Sequence, residues 1–133
     1  MDGSESAEEA LTYAIENDPD ADIVVTHVID VTAVTTAAGP AVVLDDKVAE
    51  AAEAHAKNVF ERAHELADAA GHEGDLDTAM DEGDPAAAIV SRAENVDAVV
   101  MGSQGRDGAA RLLLGSVAET VVRRASVPVT VVR

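Results

Sequence analysis

Ala98-Val99-Val100-Met101-Gly102-Ser103-Gln104-Gly105, nine further residues, and then Gly115-Ser116-Val117 decide how this chain folds. An apolar run gives way to a glycine turn, and the helical pattern that follows stops at Pro128. The stretch reads as strand, glycine loop, helix start. The N–H groups of such a loop, with the first turn of the helix behind it, can hold a phosphate chain. Gly102 directly follows the strand, where a Cβ would block the approach of a ribose or phosphate. Gly105 permits a positive φ in the turn. Gly115 leaves a bare backbone before the N–H groups of Ser116 and Val117. The Ser116 hydroxyl adds a donor, and Arg106 can place a charge on phosphates. The same residues have a second reading. Ser116-Val117-Ala118-Glu119 fits a capping box, which would tie the hydroxyl into the helix.

Outward from this loop, strands and helices alternate. Ser4 to Ile15 is expected to be a helix, with Ala7, Ala10, Leu11, Ala14 and Ile15 as its apolar stripe. Asp18-Pro19-Asp20 ends it. The β-branched run Ile23 to Ile29 reads as a buried strand. Residues 30–43, with Gly39-Pro40, read as a loop. Leu44 to Ala70 is the longest helix, its apolar positions spaced by three and four, and Gly71 supplies a left-handed cap. Leu76 to Met80 is a short strand. Asp84 caps a helix that starts at Pro85 and continues from Ala86 to Glu94. Strand 98–101, helix 116–125 and strand 127–132 complete the chain. This order predicts one α/β domain over residues 1–133, a doubly wound, Rossmann-like parallel sheet with helices on both faces. Such sheets bind ligands beyond the carboxyl ends of their strands, where the glycine loop falls.

Composition narrows the function. The only aromatic residues are Tyr13 and Phe60, so a bound base cannot lie between rings. Nucleic-acid binding is disfavoured for the same reason and for want of a basic stripe. The net charge is −17. Acids are spread along the chain between apolar positions, which fits a folded domain better than a disordered one. The charge reads as that of a protein screened by a high-salt cytosol, the alternative being an acidic surface made for a basic partner. Residues 102–133 carry five arginines against two acids, so the least acidic part of the chain holds the glycine loop. With no cysteine there is neither disulfide nor thiolate chemistry. No membrane span or signal peptide is visible, and a cytoplasmic protein is expected. His27 lies at a strand end and reads as a packed histidine. His55, on the apolar stripe of the long helix, reads as a core or flank residue. The histidines lack the spacing of a zinc site.

The pattern Gly-x2-Gly-x9-Gly-Ser, with Met101 before its first glycine, resembles the nucleotide-binding motif of the universal stress protein family. Asp2-Gly3-Ser4-Glu5-Ser6-Ala7 is similar to the family's segment after its first strand. His27-Val28-Ile29-Asp30 matches the end of its second strand, and Gly83-Asp84-Pro85 the turn before a later helix. Val117-Ala118-Glu119 through Val131-Val132-Arg133 follows its C-terminal pattern.

This resemblance implies a dimeric regulatory protein that binds ATP with Mg²⁺ or Mn²⁺. It places the adenine against backbone at Val28 and the ribose region at Asp2. It places the phosphates at Gly102, Gly105, Gly115 and Ser116, with Met101, Arg106 and Val117 in the same segment. It implies a homodimer through the C-terminal strand 127–132, and action through nucleotide-dependent conformation or partner choice. No general base is apparent, so a slow ATPase is the most enzymatic form of this reading. Two alternatives stay open: an interaction module of the same fold without nucleotide, and an enzyme acting on a phosphorylated metabolite. Family members also begin with an apolar strand ahead of the Asp-Gly-Ser segment, in mid-sheet between strands 22–29 and 98–101. Only Met1 stands there in this sequence. The expectation is a natural start upstream. For these 133 residues it is a four-stranded sheet whose central slot is vacant or closed over.

Overall fold

The computed structural model describes residues 1–30, 46–104 and 114–133. Helix α1 spans Glu5–Asn17, and the Ser4 side chain caps it by accepting from the Ala7 N–H at 3.3 Å. Strand β1 is Ile23–Ile29, as the β-branched run predicts. Helix α2 covers Asp46–Ala70 and is closed by Gly71 at φ +72°, the left-handed conformation that glycine adopts without Cβ strain. The loop expected over 30–43 falls, apart from Asp30, outside the described residues.

Strand β2 is Leu76–Glu82, two residues longer than its sequence suggests. Asp81 and Glu82 are poor strand formers, yet all seven residues pair in parallel with β1, from Ile23↔Leu76 to Ile29↔Glu82. Helix α3 is Pro85–Ala93, with Asp84 accepting from the Ala87 N–H at 2.8 Å. Strand β3 is Val99–Gly102, helix α4 is Ser116–Arg124, and strand β4 is Val129–Val132. Val127 and Pro128 stay outside β4, although the Pro128 carbonyl still accepts from the Val99 N–H at 2.9 Å.

The parallel strands and their connecting helices form the expected α/β fold. Helices α1 and α2 pack together, as do α3 and α4. Helix α1 lies on β3 and β4, α2 lies on β1 and β2, and α3 also contacts both β1 and β2. The core joins Leu11 and Ile15 of α1, Val25 of β1, and Ala63 and Ala67 of α2. The small side chains on α2 let the two helices approach closely.

One expectation needs correction. The four described strands do not make one sheet, and the central slot has not closed over. They form two separate parallel ladders, β1–β2 and β3–β4. Parallel strands bond to a given neighbour through alternate residues. Ile23 and Ile29 bond towards β2, so Val24, Thr26 and Val28 turn their backbone groups away from it. On that side the Met1 ammonium donates to the Thr26 carbonyl. By the same parity Val100 and Gly102 turn away from β4. The segment Met1–Ser4 leads from the edge of β1 to the helix that covers β3.

Candidate functional site

The end of β3 and the start of α4 are tied together by backbone. Ser103 N–H donates to the Val132 carbonyl at 2.8 Å, and Gly115 N–H donates to the Ser103 carbonyl at 2.7 Å. The second bond sets the first turn of α4 beside the mouth of β3. Gly115 is the N-cap, extended at φ −63° and ψ 156°, and Ser116 is already helical. The capping box therefore does not form. A residue inside the helix cannot cap it, and Glu119 instead pairs with Arg123 one turn on. The Ser116 hydroxyl sits on an exposed residue at the start of the turn. The first intrahelical bond of α4 runs from Glu119 N–H to the Gly115 carbonyl at 2.9 Å. The N–H groups of Ser116, Val117 and Ala118 precede it and have no acceptor within the helix. They carry the positive end of its dipole. The amide of Gly115 itself is already used by Ser103.

Gly102 has a packing role that the sequence does not reveal. A Cβ there would stand 2.6 Å from the carbonyl oxygen of Ser6 and 2.7 Å from its carbonyl carbon. The bare glycine lets α1 rest directly on β3. Ser6 Oγ, also against this Cβ position, is buried without a hydrogen-bond partner. Met101 is half-buried and paired with Val131. Gly105 and Arg106 lie outside the described residues.

The second half of the arrangement sits at the end of β1. Val28 is paired with Asp81, but its own N–H and C=O point away from β2. Asp2 reaches this region because Met1 is bonded to the neighbouring residue. His27 Nδ1–H donates to the Met1 carbonyl at 2.8 Å. Asp2 Oδ1 accepts from the Ser4 N–H at 3.0 Å and the Ser4 hydroxyl at 2.6 Å. Burial opposes ionisation of this carboxyl. The Ser4 hydrogen bonds and the adjacent ammonium outweigh it and hold the carboxyl below its ordinary value. The turn therefore gains stability above that ordinary value and loses it as pH falls through the depressed one. The first turn of α1 joins the two halves: Asp2 lies just before it, and Ser6 within it rests on Gly102.

His27 is packed, as its sequence position suggests: it is 4% exposed and edge-on to both His55 and Phe60. Sequence reasoning missed two residues here, Ser6 and His55. Ser6 gives no signal without the position of β3. His55 lies on the apolar stripe of α2, and its contact with the Asp2 carbonyl spans 53 residues. Among the described residues no helix is long and apolar enough to cross a membrane.

The whole chain, residues 1–133, matches the model of the Universal stress protein family. It is 35% identical to a universal stress protein of Methanocaldococcus jannaschii over 136 residues, which cover 99% of this chain and 78% of that protein. The structure of the universal stress protein UspA from Lactobacillus plantarum superposes with a TM-score of 0.81 at 26% identity, covering 100% of this chain and 93% of the other. A universal stress protein in complex with cAMP superposes with a TM-score of 0.67 at 25% identity, covering 100% and 91%. The match to the family model runs over the full length and a relative is 35% identical over nearly all of it, so the chain belongs to the universal stress protein family.

Proposed function

We propose that this chain binds an adenine nucleotide, ATP with Mg²⁺ or Mn²⁺, and acts through the conformation or partner choice that the nucleotide sets. The observation that carries this reading is the start of α4. Three N–H groups without intrahelical acceptors and an uncapped serine stand beside a strand-end glycine, in the least acidic part of the chain. The outward backbone groups of Val28 suit adenine recognition without aromatic rings, and Asp2 suits a ribose hydroxyl. Gly105 and Arg106 complete the phosphate segment by resemblance. The cAMP complex of a similar protein supports the nucleotide class.

Calorimetry in molar KCl tests the site. The parent chain should bind ATP only with the divalent metal, and Gly115→Val should abolish binding. A Cβ at 115 already comes within 3.1 Å of the Ser103 carbonyl oxygen, so the variant's melting point is measured alongside. Ser116→Ala supplies a milder check. It should lower affinity about tenfold, the value of a hydrogen bond to a charged group, with the melt unchanged. Parent-like affinity in both variants would remove the phosphates from this loop.

The reading includes a homodimer through strand 127–132. Among the described residues strand β4 pairs with β3 alone. The Pro128 and Val132 carbonyls bond towards β3, so Val129 and Val131 direct theirs outwards. An apolar edge of this kind is closed by antiparallel pairing with its own copy about a two-fold axis. Val131→Pro removes one outward N–H and leaves the β3 side intact, so light scattering should show monomers. A persistent dimer would place the interface elsewhere.

A further inference from the structure

We propose that His27 and His55 are positioning residues for Asp2, and that through it they set a preference for ribose over deoxyribose at the nucleotide site. The inference rests on the reading of Asp2 given above. An aspartate can discriminate a ribose only if its carboxylate is held in place, and residues 1–4 lie outside any helix or strand. Two imidazoles supply the hold. His27 Nδ1–H donates to the Met1 carbonyl at 2.8 Å, and His55 Nε2–H reaches the Asp2 carbonyl at 3.4 Å. The peptide between those carbonyls is thereby fixed from β1 and from α2.

The imidazoles are themselves braced. Their ring centroids are 5.4 Å apart at an interplanar angle of 67°, and Phe60 stands edge-on to His27 at 6.4 Å. The next residue, Gly3, turns back at φ +82°, where an added Cβ would meet His55 Cε1 and Val59 Cγ2, each at 3.6 Å. Ser4 then fixes Oδ1 of Asp2 from the far side of the turn. Rotation of the Met1–Asp2 peptide would redirect the carboxylate that Asp2 carries. Among the described residues the helix that bears His55 packs on α1, β1 and β2, so an effect of His55 on sugar selectivity would act through Asp2.

The test measures affinities for AMP and dAMP by calorimetry in molar KCl, on the full chain and three variants. The parent should favour AMP, and Asp2→Asn should erase the preference. His55→Leu keeps an apolar filler but loses the donor, and should cut the AMP/dAMP ratio about threefold or more. His55→Gln, whose amide N–H can stand in for Nε2–H, should restore the ratio to within about twofold of the parent. A purely structural role for His55 would weaken both nucleotides equally and leave the ratio alone. A ratio lost in Asp2→Asn but intact in His55→Leu overturns this inference and spares the site. An intact ratio in Asp2→Asn, or no binding of either nucleotide, overturns the assignment of Asp2 to the ribose and this inference with it.

Discussion

Gly102→Ala should destabilise the folded chain by about 3 kcal/mol, the upper end of the usual overpacking range. The new methyl group would stand 2.6 Å and 2.7 Å from backbone atoms of Ser6. A side chain can rotate out of such a contact, but a helix backbone cannot. Helix α1 would have to lift from β3, where it makes its main contact with the strands. A loss of this size is a large share of the roughly 5–15 kcal/mol that holds a domain together. Ser6→Ala should not rescue the variant, because it removes only the clash with Ser6 Oγ and leaves those with the two backbone atoms. The check is the denaturant midpoint at fixed KCl without nucleotide. If stability is unchanged while nucleotide affinity falls, Gly102 serves the approach of ligand rather than the packing of α1.

The second large effect is that of salt. Raising KCl from about 0.1 M to 1 M shortens the Debye length from about 10 Å to about 3 Å. With a net charge of −17 on 133 residues, folding concentrates repulsion that the extended chain relieves. The ion pairs described engage Glu8, Glu65, Asp81 and Glu119, and three of those four carboxylates sit in pairs with well-exposed partners. Exposed pairs of this kind contribute little. Screening the remaining acids should stabilise the fold by on the order of 5 kcal/mol. That corresponds to a rise of about 20 °C in melting temperature. The rise should be steepest below about 1 M and flatten above it, because screening is then nearly complete. Sucrose, which favours burial without screening charge, should not reproduce that curve. A melting temperature insensitive to KCl would count against a high-salt setting for this chain.

The elements were legible because each rests on local chemistry. Ser4 and Asp84 cap their helices through their own side chains, and Gly71 closes α2 because a left-handed residue is needed there. The run Ile23 to Ile29 gave β1 to the residue because β-branched side chains suit a half-buried ladder. The ends of other elements were not local matters. Strand β2 continues through Asp81 and Glu82 because β1 supplies partners for their backbones. Ser116 could have been a cap or a helical residue on sequence alone. The bond from Gly115 to Ser103 decides it by placing the cap one residue earlier.

The candidate site divides in the same way. The sequence by itself determined the alternation of strands and helices, the glycine loop between β3 and α4, and the residue types gathered there. Side-chain size, capping and β-branching act within a few residues and are written in the order of the chain. Only the tertiary structure decided that Gly102 admits a helix, that the strands form two ladders, and that His55 reaches the Asp2 backbone. These are contacts between residues 30 or more positions apart, between α1 and β3, between α2 and the Asp2 segment, and between paired strands. Such contacts arise when separate surfaces close on one another, and no single stretch of sequence contains both sides.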